Sequence, residues 1–157
     1  MRHGVAEGDG DPGLSPQGVA LIRSEARGLA KLGLSFDLVL SSPLRRAHQT
    51  ALLVAGSVEP PSRVEVTPIL SPGFRADQLP SLLAPHADAR ALLLVGHAPD
   101  LGGVAAHLAG AATPLSLDRG GFCWLELDRW DDAADAAMGV AIRMLVPGGA
   151  LAALGGS

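Results

Sequence analysis

Two short apolar runs, "FDLVLSS" and "RALLLVGH", constrain the fold of this chain more than any other feature of its sequence. Neither run alternates apolar with polar residues, as a strand with one solvated face would, so we predict two buried parallel strands. A helical pattern follows each run, in "SPLRRAHQTALLVAG" and in "PDLGGVAAHLAG". Repeated units of strand, turn and helix are typical of a parallel sheet covered on both faces. We therefore expect the α/β class, as a three-layer sandwich whose mostly parallel central sheet is flanked by helices.

Other segments add elements around this sheet. "LSPQGVALIRSEARGLAKLGL" predicts an amphipathic cover helix, with Ser15 as its N-cap, Pro16 at its first position and Gly33 at a left-handed exit. "RVEVTPIL" is interpreted as a third strand, and "DQLPSLLA" as a short helix interrupted near Pro80. "GGFCWLELD" and "GVAIRMLVP" are expected to pair as late strands at a sheet edge.

Size and composition indicate one globular domain. The chain has 157 residues and is 48% apolar, so we expect a single domain over residues 1–157, with a tail that is poorly ordered from about residue 148. The formal charge of -4, without a Lys/Arg run, argues against nucleic acid or an anionic membrane as a partner. Cys123 stands alone, which excludes an internal disulfide. With no secretion signal and no apolar stretch of about 20 residues, we expect a cytoplasmic protein.

Side chains that can do chemistry collect where the predicted strands end. "RHG" opens the chain, "SSPLRRAHQT" follows "DLVL", and "GHAPD" follows "ALLLV". Ligands of open α/β sheets bind beyond the carboxyl ends of the strands, so histidines and arginines are expected together at one rim. Ser42, as the N-cap of the second helix with Pro43 next to it, would aim free backbone N–H groups at the same rim.

These residue types suit the transfer of a phosphoryl group. Neutral imidazole is a nucleophile near neutral pH, and guanidinium supplies fixed positive charge with paired donors that match phosphate oxygens. Because this transfer depends mostly on positioning and on charge stabilisation, arginines can replace a metal ion. The histidines lack a recognisable ligand spacing, so we predict no metal and no cofactor.

Three motifs, taken in order, resemble those of a known family. "RHG" near the N-terminus, "SPLRRAHQTA" after one strand and "VGHAPDLG" after a later strand resemble the histidine phosphatase superfamily, which has the phosphoglycerate mutase-like fold. The resemblance runs from Arg2 to about residue 146. The short length and the pair "LSPQG" and "LLLVGHAPDLG" look most like the small SixA-type phosphohistidine phosphatases.

The resemblance implies a role for individual residues. His3 would be the nucleophile that becomes transiently phosphorylated, and His97 would be the second histidine, which stabilises charge in the transition state. Arg2 and Arg46 would grip phosphate oxygens. Gly4 would leave room for phosphate beside the backbone.

Three further assignments rest on weaker signals. In the family pattern, Ser-Pro is followed by two variable residues and then by Arg and Ala, which selects Arg46 over Arg45. Helical periodicity alone separates these two arginines poorly. His48 shares a helix with Arg46 and is expected at the pocket rim. Asp77 is the carboxylate nearest to the proton-donor position of larger relatives, without a clean match. Because a departing imidazole needs a weaker acid than a departing alkoxide, this departure favours phosphohistidine as the substrate.

The N-terminus also departs from the family pattern. Relatives usually carry an apolar strand that ends on the Arg-His pair, whereas only Met1 precedes Arg2 here. Either the first strand is missing through truncation, or His3 hangs from an unusually short lead-in.

The expected function is that of a metal-independent phosphatase that acts through a phosphohistidine intermediate on phosphohistidine in a signalling protein. A broad small-molecule phosphomonoesterase or mutase of the same superfamily is an alternative within enzymes. A non-catalytic phosphate-binding module is the alternative from another class. The expected partner is accordingly a phosphorylated protein or a small phosphorylated substrate.

Overall fold

The computed structural model describes residues 1–128 and 140–155. Its helices are α1 (Pro16–Lys31), α2 (Arg45–Ala55), α3 (Leu79–Leu83) and α4 (Asp100–Leu108), and its strands are β1 (Leu38–Ser41), β2 (Arg63–Val66), β3 (Leu92–Val95), β4 (Phe122–Leu127) and β5 (Val140–Val146). Single 3-10 turns cover Pro68–Leu70, Ala76–Gln78, Ala84–His86 and Leu151–Ala153. Within the described residues, no helix has the length and apolar character needed to cross a membrane.

The first helix begins and ends as its sequence predicts. Ser15 Oγ accepts a hydrogen bond from Gly18 N at 3.0 Å, and Pro16 is the first helical residue. The chain leaves the helix at Gly33, whose φ of +74° lies in the left-handed region. Glycine suits that position because it has no Cβ to collide with the following carbonyl group.

Three parallel strands form the central sheet in the order β2-β1-β3. Leu38 at the start of β1 pairs with Arg63 of β2 and with Leu92 of β3, so the three strands end at one common edge. Every residue of β1 is buried, whereas β2 lies at the sheet edge and is partly exposed. The prediction of two parallel strands and a third strand in "RVEVTPIL" is confirmed, but only β1 is buried throughout, because Leu92 and Leu94 of β3 are partly buried.

Alternate residues of β1 face two separate apolar cores. Val39 packs in the core that contains α1 and α2, while Leu38 and Leu40 pack in the core that contains α3 and α4. Each of these side chains is at most 3% exposed, and burial of one such side chain stabilises a fold by about 1.5–3 kcal/mol. Helices on both faces of a parallel sheet make the three-layer α/β sandwich that the sequence predicts.

The late strands β4 and β5 pair antiparallel as predicted, but they form a sheet of their own. Residues 1–3 connect this sheet to the central one. The connecting backbone hydrogen bonds are Met1 N to Leu94 O at 2.8 Å, His3 N to Gly96 O at 3.0 Å and Arg2 N to Gly121 O at 2.9 Å. His3 therefore does not hang from a free lead-in, because the backbone on both sides of it is fixed between β3 and β4.

An apolar cavity of about 550 Å³ lies beside Met1, lined by side chains of β3, β4, α3 and α4. The Met1 side chain is only 5% exposed. Burial lowers the pKa of the Met1 amine from 8.0 to about 5, because an ammonium group loses its hydration there. The amine that donates to β3 is accordingly neutral at neutral pH.

Two minor elements lie outside the sheets, the tail and α3. Up to residue 155 the tail packs on α1: Leu151 is 3% exposed, and Arg27 Nε donates to Gly155 O at 2.9 Å. The poor order expected from residue 148 stays a prediction, whereas the interruption predicted near Pro80 is wrong. Pro80 does not interrupt a helix, because it lies in the first turn of α3. A proline costs little there, since its missing N–H would have no partner within the helix.

Candidate active site

His3 is held by its own backbone and by the residue that follows it. Its ring Nδ1 lies 2.7 Å from Gly4 O. Because a carbonyl oxygen can only accept, Nδ1 carries the proton and Nε2 keeps a lone pair. Burial, with the charges of Arg46, His97 and Arg2 acting in the same direction, lowers the pKa of His3 to about 4 despite the opposing bond to Gly4. The imidazole is therefore neutral at neutral pH.

Arg46, in the first turn of α2, points back to this lone pair. Its Nε donates to His3 Nε2 at 3.2 Å. The side chain is 20% exposed, whereas Arg45 is an exposed residue. Helical side chains tilt toward the N-terminus of their helix, which lets an arginine in the first turn reach the edge where the strands end. The structure thus brings Arg46, the arginine selected from the motif, to His3.

His97 follows β3 and is fixed by a residue that follows the neighbouring strand β1. His97 Nε2 and Ser42 Oγ are 2.8 Å apart, and both residues are buried. Burial is the largest cause that lowers the pKa of His97, and the charge of Arg46 lowers it further. This ring is thus held by a hydroxyl group rather than by a carboxylate.

The prediction that Ser42 caps the second helix is wrong. The helix begins at Arg45, and Leu44 occupies the N-cap position without a side-chain hydrogen bond. Ser42 Oγ accepts from Leu44 N at 3.3 Å and turns toward His97. Ser42 therefore belongs to the site through its contact with His97 and not through the helix start.

The two histidines and two arginines converge at the carboxyl edge of the sheet. The ring centroids of His3 and His97 are 5.2 Å apart, with ring planes inclined by 59°. Arg2 is anchored by a bond from Nη1 to Leu117 O at 3.0 Å, and its charge lowers the pKa of both histidines. Arg2 Nε is buried without a hydrogen-bond partner. His3, His97 and Arg46 therefore lie together, and the charge of Arg2 acts on both rings, while the catalytic roles of all four residues stay predictions.

Gly4 packs closely against α1. A Cβ at residue 4 would lie 2.7 Å from Ile22 Cγ1 and 3.1 Å from Leu14 Cδ2, so this packing requires glycine. Gly4 also donates from its N–H to Thr50 Oγ1 at 3.1 Å, which ties the backbone after His3 to α2. The predicted room for phosphate beside Gly4 stays a prediction.

Asp77 forms an ion pair with Arg75. Its carboxylate accepts from Nη2 at 2.6 Å and from Nε at 3.2 Å, on an exposed turn. The hydrogen bonds from Arg75 hold the pKa of Asp77 below its ordinary value. A carboxyl group that is ionised and already paired is a poor proton donor, and the acid role of Asp77 stays a prediction.

His48 remains a candidate without contacts that test its position. It lies on α2, two residues after Arg46, and is half-buried. Its Nδ1 is buried and lacks a hydrogen-bond partner. The rim position stays a prediction.

Asp11 is the residue that the sequence analysis missed. Its carboxylate accepts from Arg45 N at 3.1 Å, and Oδ1 lies 3.7 Å from Arg46 Nη1. The turn "GDGDPG" carries acidic residues but no spacing that relates them to α2. The contact spans 34 positions, so only the folded chain reveals it.

The arrangement is suited to phosphoryl transfer. It offers a neutral imidazole whose Nε2 is unprotonated, a second imidazole and two guanidinium groups, which match the charge of a tetrahedral oxyanion. In the described part of the chain, no three His, Cys, Asp or Glu side chains form a group that could hold a metal ion.

Comparison with known proteins agrees with this chemistry. The model of the histidine phosphatase superfamily (branch 1) matches residues 1–71, which include His3 and Arg46. An uncharacterized protein of Picosynechococcus sp. is 36% identical over 138 residues, which cover 80% of this chain and 81% of that protein. A structure of the protein histidine phosphatase SixA complexed with tungstate has a TM-score of 0.79 and 25% identity over 94% of each chain. A structure assigned to SixA from Nakamurella multipartitia has a TM-score of 0.75 and 24% identity over 92% of this chain and 91% of that one.

Proposed function

The chain belongs to the histidine phosphatase superfamily, and on this premise we propose that it is a metal-independent phosphatase that removes phosphate from phosphohistidine in a signalling protein. His3 accepts the phosphoryl group and passes it to water. The observation that carries this proposal is the state of His3, whose Nδ1 is bonded to Gly4 O while Nε2 faces Arg46 at 3.2 Å.

Neutral His3 supplies the nucleophile for the first step. With a pKa lowered to about 4, its Nε2 lone pair is available throughout the physiological pH range. Nε2 attacks phosphorus in line, and the bond between phosphorus and the substrate nitrogen breaks as the new P–N bond forms. The departing imidazole takes up a proton from water.

Water completes the reaction in the second step. It attacks phospho-His3 from the side that the leaving group has vacated, the P–N bond to His3 breaks, and inorganic phosphate is released. The hydroxide formed in the first step takes up the proton that the attacking water loses. Nε2 regains its lone pair, which again accepts a hydrogen bond from Arg46. No net change in the enzyme remains.

Arg46, Arg2 and His97 stabilise charge on the transferred group. The Nε–H of Arg46 that now meets His3 Nε2 is released for a phosphoryl oxygen once Nε2 bonds phosphorus. Removal of one oriented donor from an oxyanion site typically costs about 100- to 1,000-fold in kcat. The arginines contribute fixed charge at any pH at which the protein is folded.

The ion pair of Asp77 with Arg75 supports phosphohistidine as the substrate over an ordinary phosphate ester. This carboxylate is paired with Arg75 on the surface, and an ionised, paired carboxylate is a poor proton donor. An alkoxide leaving group depends strongly on such a proton, whereas an imidazole leaving group depends on it much less. The proposed substrate is therefore the one that the site can hydrolyse without a strong acid.

Release of inorganic phosphate from three substrates tests the proposal. The purified protein is incubated with a phosphohistidine-bearing signalling domain, with a phosphoserine protein and with sugar phosphates. We expect turnover of the phosphohistidine protein and its loss in a His3→Ala variant. His107→Ala is the matched control, because His107 is exposed near the end of α4.

The other outcomes identify the alternatives. Turnover of the sugar phosphates alone would assign the protein to the small-molecule phosphomonoesterases. Phosphate binding without turnover of any substrate would identify a non-catalytic phosphate-binding module.

A further inference from the structure

Asp11 lies against the outer side of the arginine that meets the nucleophile. Both of its carboxylate oxygens accept from Arg45 N, at 3.1 and 3.2 Å, and Oδ1 lies 3.7 Å from Arg46 Nη1. The same guanidinium donates from Nε to His3 Nε2 at 3.2 Å. One arginine therefore links an acidic side chain with the proposed nucleophile.

The turn that carries Asp11 is held in place on α2. Leu14 N donates to Gln49 Oε1 at 2.6 Å, and Glu7 N donates to Gly13 O at 3.3 Å. Gly8 and Gly10 within the turn have φ values of 115° and 70°, a region that favours glycine. Because both ends of the turn are bonded, the carboxylate is presented to α2 by a defined backbone.

The start of α2 attracts anions in two ways. Leu44 at the N-cap offers no side-chain acceptor, so the first N–H groups of the helix are left to other partners. The positive end of the helix dipole and the charge of Arg46 act in the same direction. Asp11 supplies the missing acceptor from a distant part of the chain.

We propose that Asp11 is a resident counter-anion that sets the affinity of the site for phosphate. In the resting enzyme its carboxylate neutralises Arg46 and the first turn of α2, and a phosphoryl group must compete with it for the same positive charge. The inference rests on the proposed function, because Arg46 is taken to bind phosphate. Repulsion between Asp11 and bound phosphate also promotes release of the product.

The charge of Asp11 also reaches His97, as the smallest of the causes that act on the pKa of that ring. Burial and the charge of Arg46 lower the pKa of His97, while the charge of Asp11 acts in the opposite direction, together with that of Asp100. Asp11 therefore offsets part of the positive field that Arg46 and Arg2 create for an incoming anion.

Calorimetric titration with inorganic phosphate tests the proposal without the need for turnover. The Asp11→Asn variant keeps an oxygen that can accept from Arg45 N but removes the charge. We expect its Kd for phosphate to be at least about threefold lower than that of the wild type at low salt, with a smaller difference at high salt. Asp11→Ser, which keeps a short polar cap, should shift the Kd in the same direction.

Asp9→Asn is the matched control, because Asp9 is exposed in the same turn and the change in net charge is identical. A Kd that is unchanged or higher in both Asp11 variants, or an equal decrease in Asp9→Asn, would overturn the proposal. If neither the wild type nor the Asp11 variants bind phosphate, the proposal is also overturned. A wild-type protein that binds phosphate but hydrolyses no substrate refutes the proposed function alone, and the Kd comparison still decides the role of Asp11.

Discussion

Ser42 Oγ lies 2.8 Å from Nε2 of His97, across 55 positions of the chain, and both side chains are buried. This contact joins the loop after β1 to the loop after β3 at the carboxyl edge of the sheet. It is a directional contact that holds Nε2 of the buried ring toward the loop after β1. Ser42 is therefore a positioning residue for His97.

Replacement of Ser42 by alanine should lower kcat about tenfold or more, because a misplaced catalytic group loses much of its effect. KM should change less, and the pH profile of kcat should shift, since the partner that holds the His97 ring is lost. Steady-state kinetics over a range of pH measures both effects. Ser57→Ala is the control, because the Ser57 hydroxyl bonds to Leu53 O away from the histidines. Equal pH profiles for Ser42→Ala and the wild type would argue against a positioning role.

The neighbouring arginines of α2 should differ sharply in their effect on activity. Arg46→Ala removes the donor to His3 Nε2 and should lower kcat/KM at least about 100-fold. Arg45→Ala alters an exposed side chain and should change kcat/KM by less than about threefold. Steady-state kinetics of the two variants measures this difference, and a larger loss in Arg45→Ala would reverse the assignment.

Glu25 should make the stability of the fold depend on pH. The side chain is 0% exposed, its Oε1 accepts from Gly149 N, and its Oε2 lacks a partner. Burial raises the pKa of Glu25 from 4.5 to about 7. The folded protein therefore binds this proton more tightly than the unfolded chain, and the stabilisation present below pH 4.5 is lost as the pH rises through 7.

Glu25→Gln removes this titration. Relative to the wild type, the free energy of unfolding of the variant should rise by roughly 2 kcal/mol between pH 5 and pH 8. Urea unfolding at the two pH values measures the difference. The Met1 amine and His3 have lowered pKa values in the folded protein, so their contributions to stability change with pH in the opposite direction. Both groups are present in the wild type and in the variant, so these contributions cancel in the comparison. Glu59→Gln, at an exposed position, should show no such rise, and a pH-independent difference for Glu25→Gln would contradict the prediction.

The contact between the tail and α1 should contribute measurably to stability. Leu151 is 3% exposed in the core beneath α1, whereas Leu154 is 47% exposed. Leu151→Ala should lower the free energy of unfolding by about 2–4 kcal/mol, because it removes buried methyl groups and leaves a cavity. Leu154→Ala should change it by less than about 0.5 kcal/mol. Equal effects of the two substitutions in denaturant unfolding would show that the tail does not pack as described.

Much of the fold could be predicted because it depends on local patterns. The apolar runs of β1 and β3, the Ser-Pro start of α1 and the glycine at its exit all act over a few residues, and the structure has each of them. The order of the strands places the three motifs at one edge. His3, Arg46 and His97 meet there because the carboxyl ends of parallel strands share that edge.

The remaining features depend on contacts between distant residues. Ser-Pro after a strand favours a helix cap, but Ser42 contacts His97 instead, and the carboxylate of Asp11 accepts from Arg45 N at the first residue of α2. The glycine-rich tail resembles a flexible segment, yet glycine allows the close approach of two backbones. A Cβ at Gly28 would collide with the carbonyl of Leu151, and a Cβ at Gly155 would collide with that of Ser24. No single stretch of sequence contains both partners of these contacts.

In the proposed mechanism, Nε2 of His3 carries the phosphoryl group between the two steps of the reaction. Rapid mixing with phosphoramidate, a quench at alkaline pH and mass spectrometry of the peptides detect this intermediate. We expect one acid-labile phosphoryl group on the peptide that contains His3, and none in a His3→Ala variant. A phosphoryl group on another residue, or undiminished turnover by His3→Ala, would contradict the mechanism.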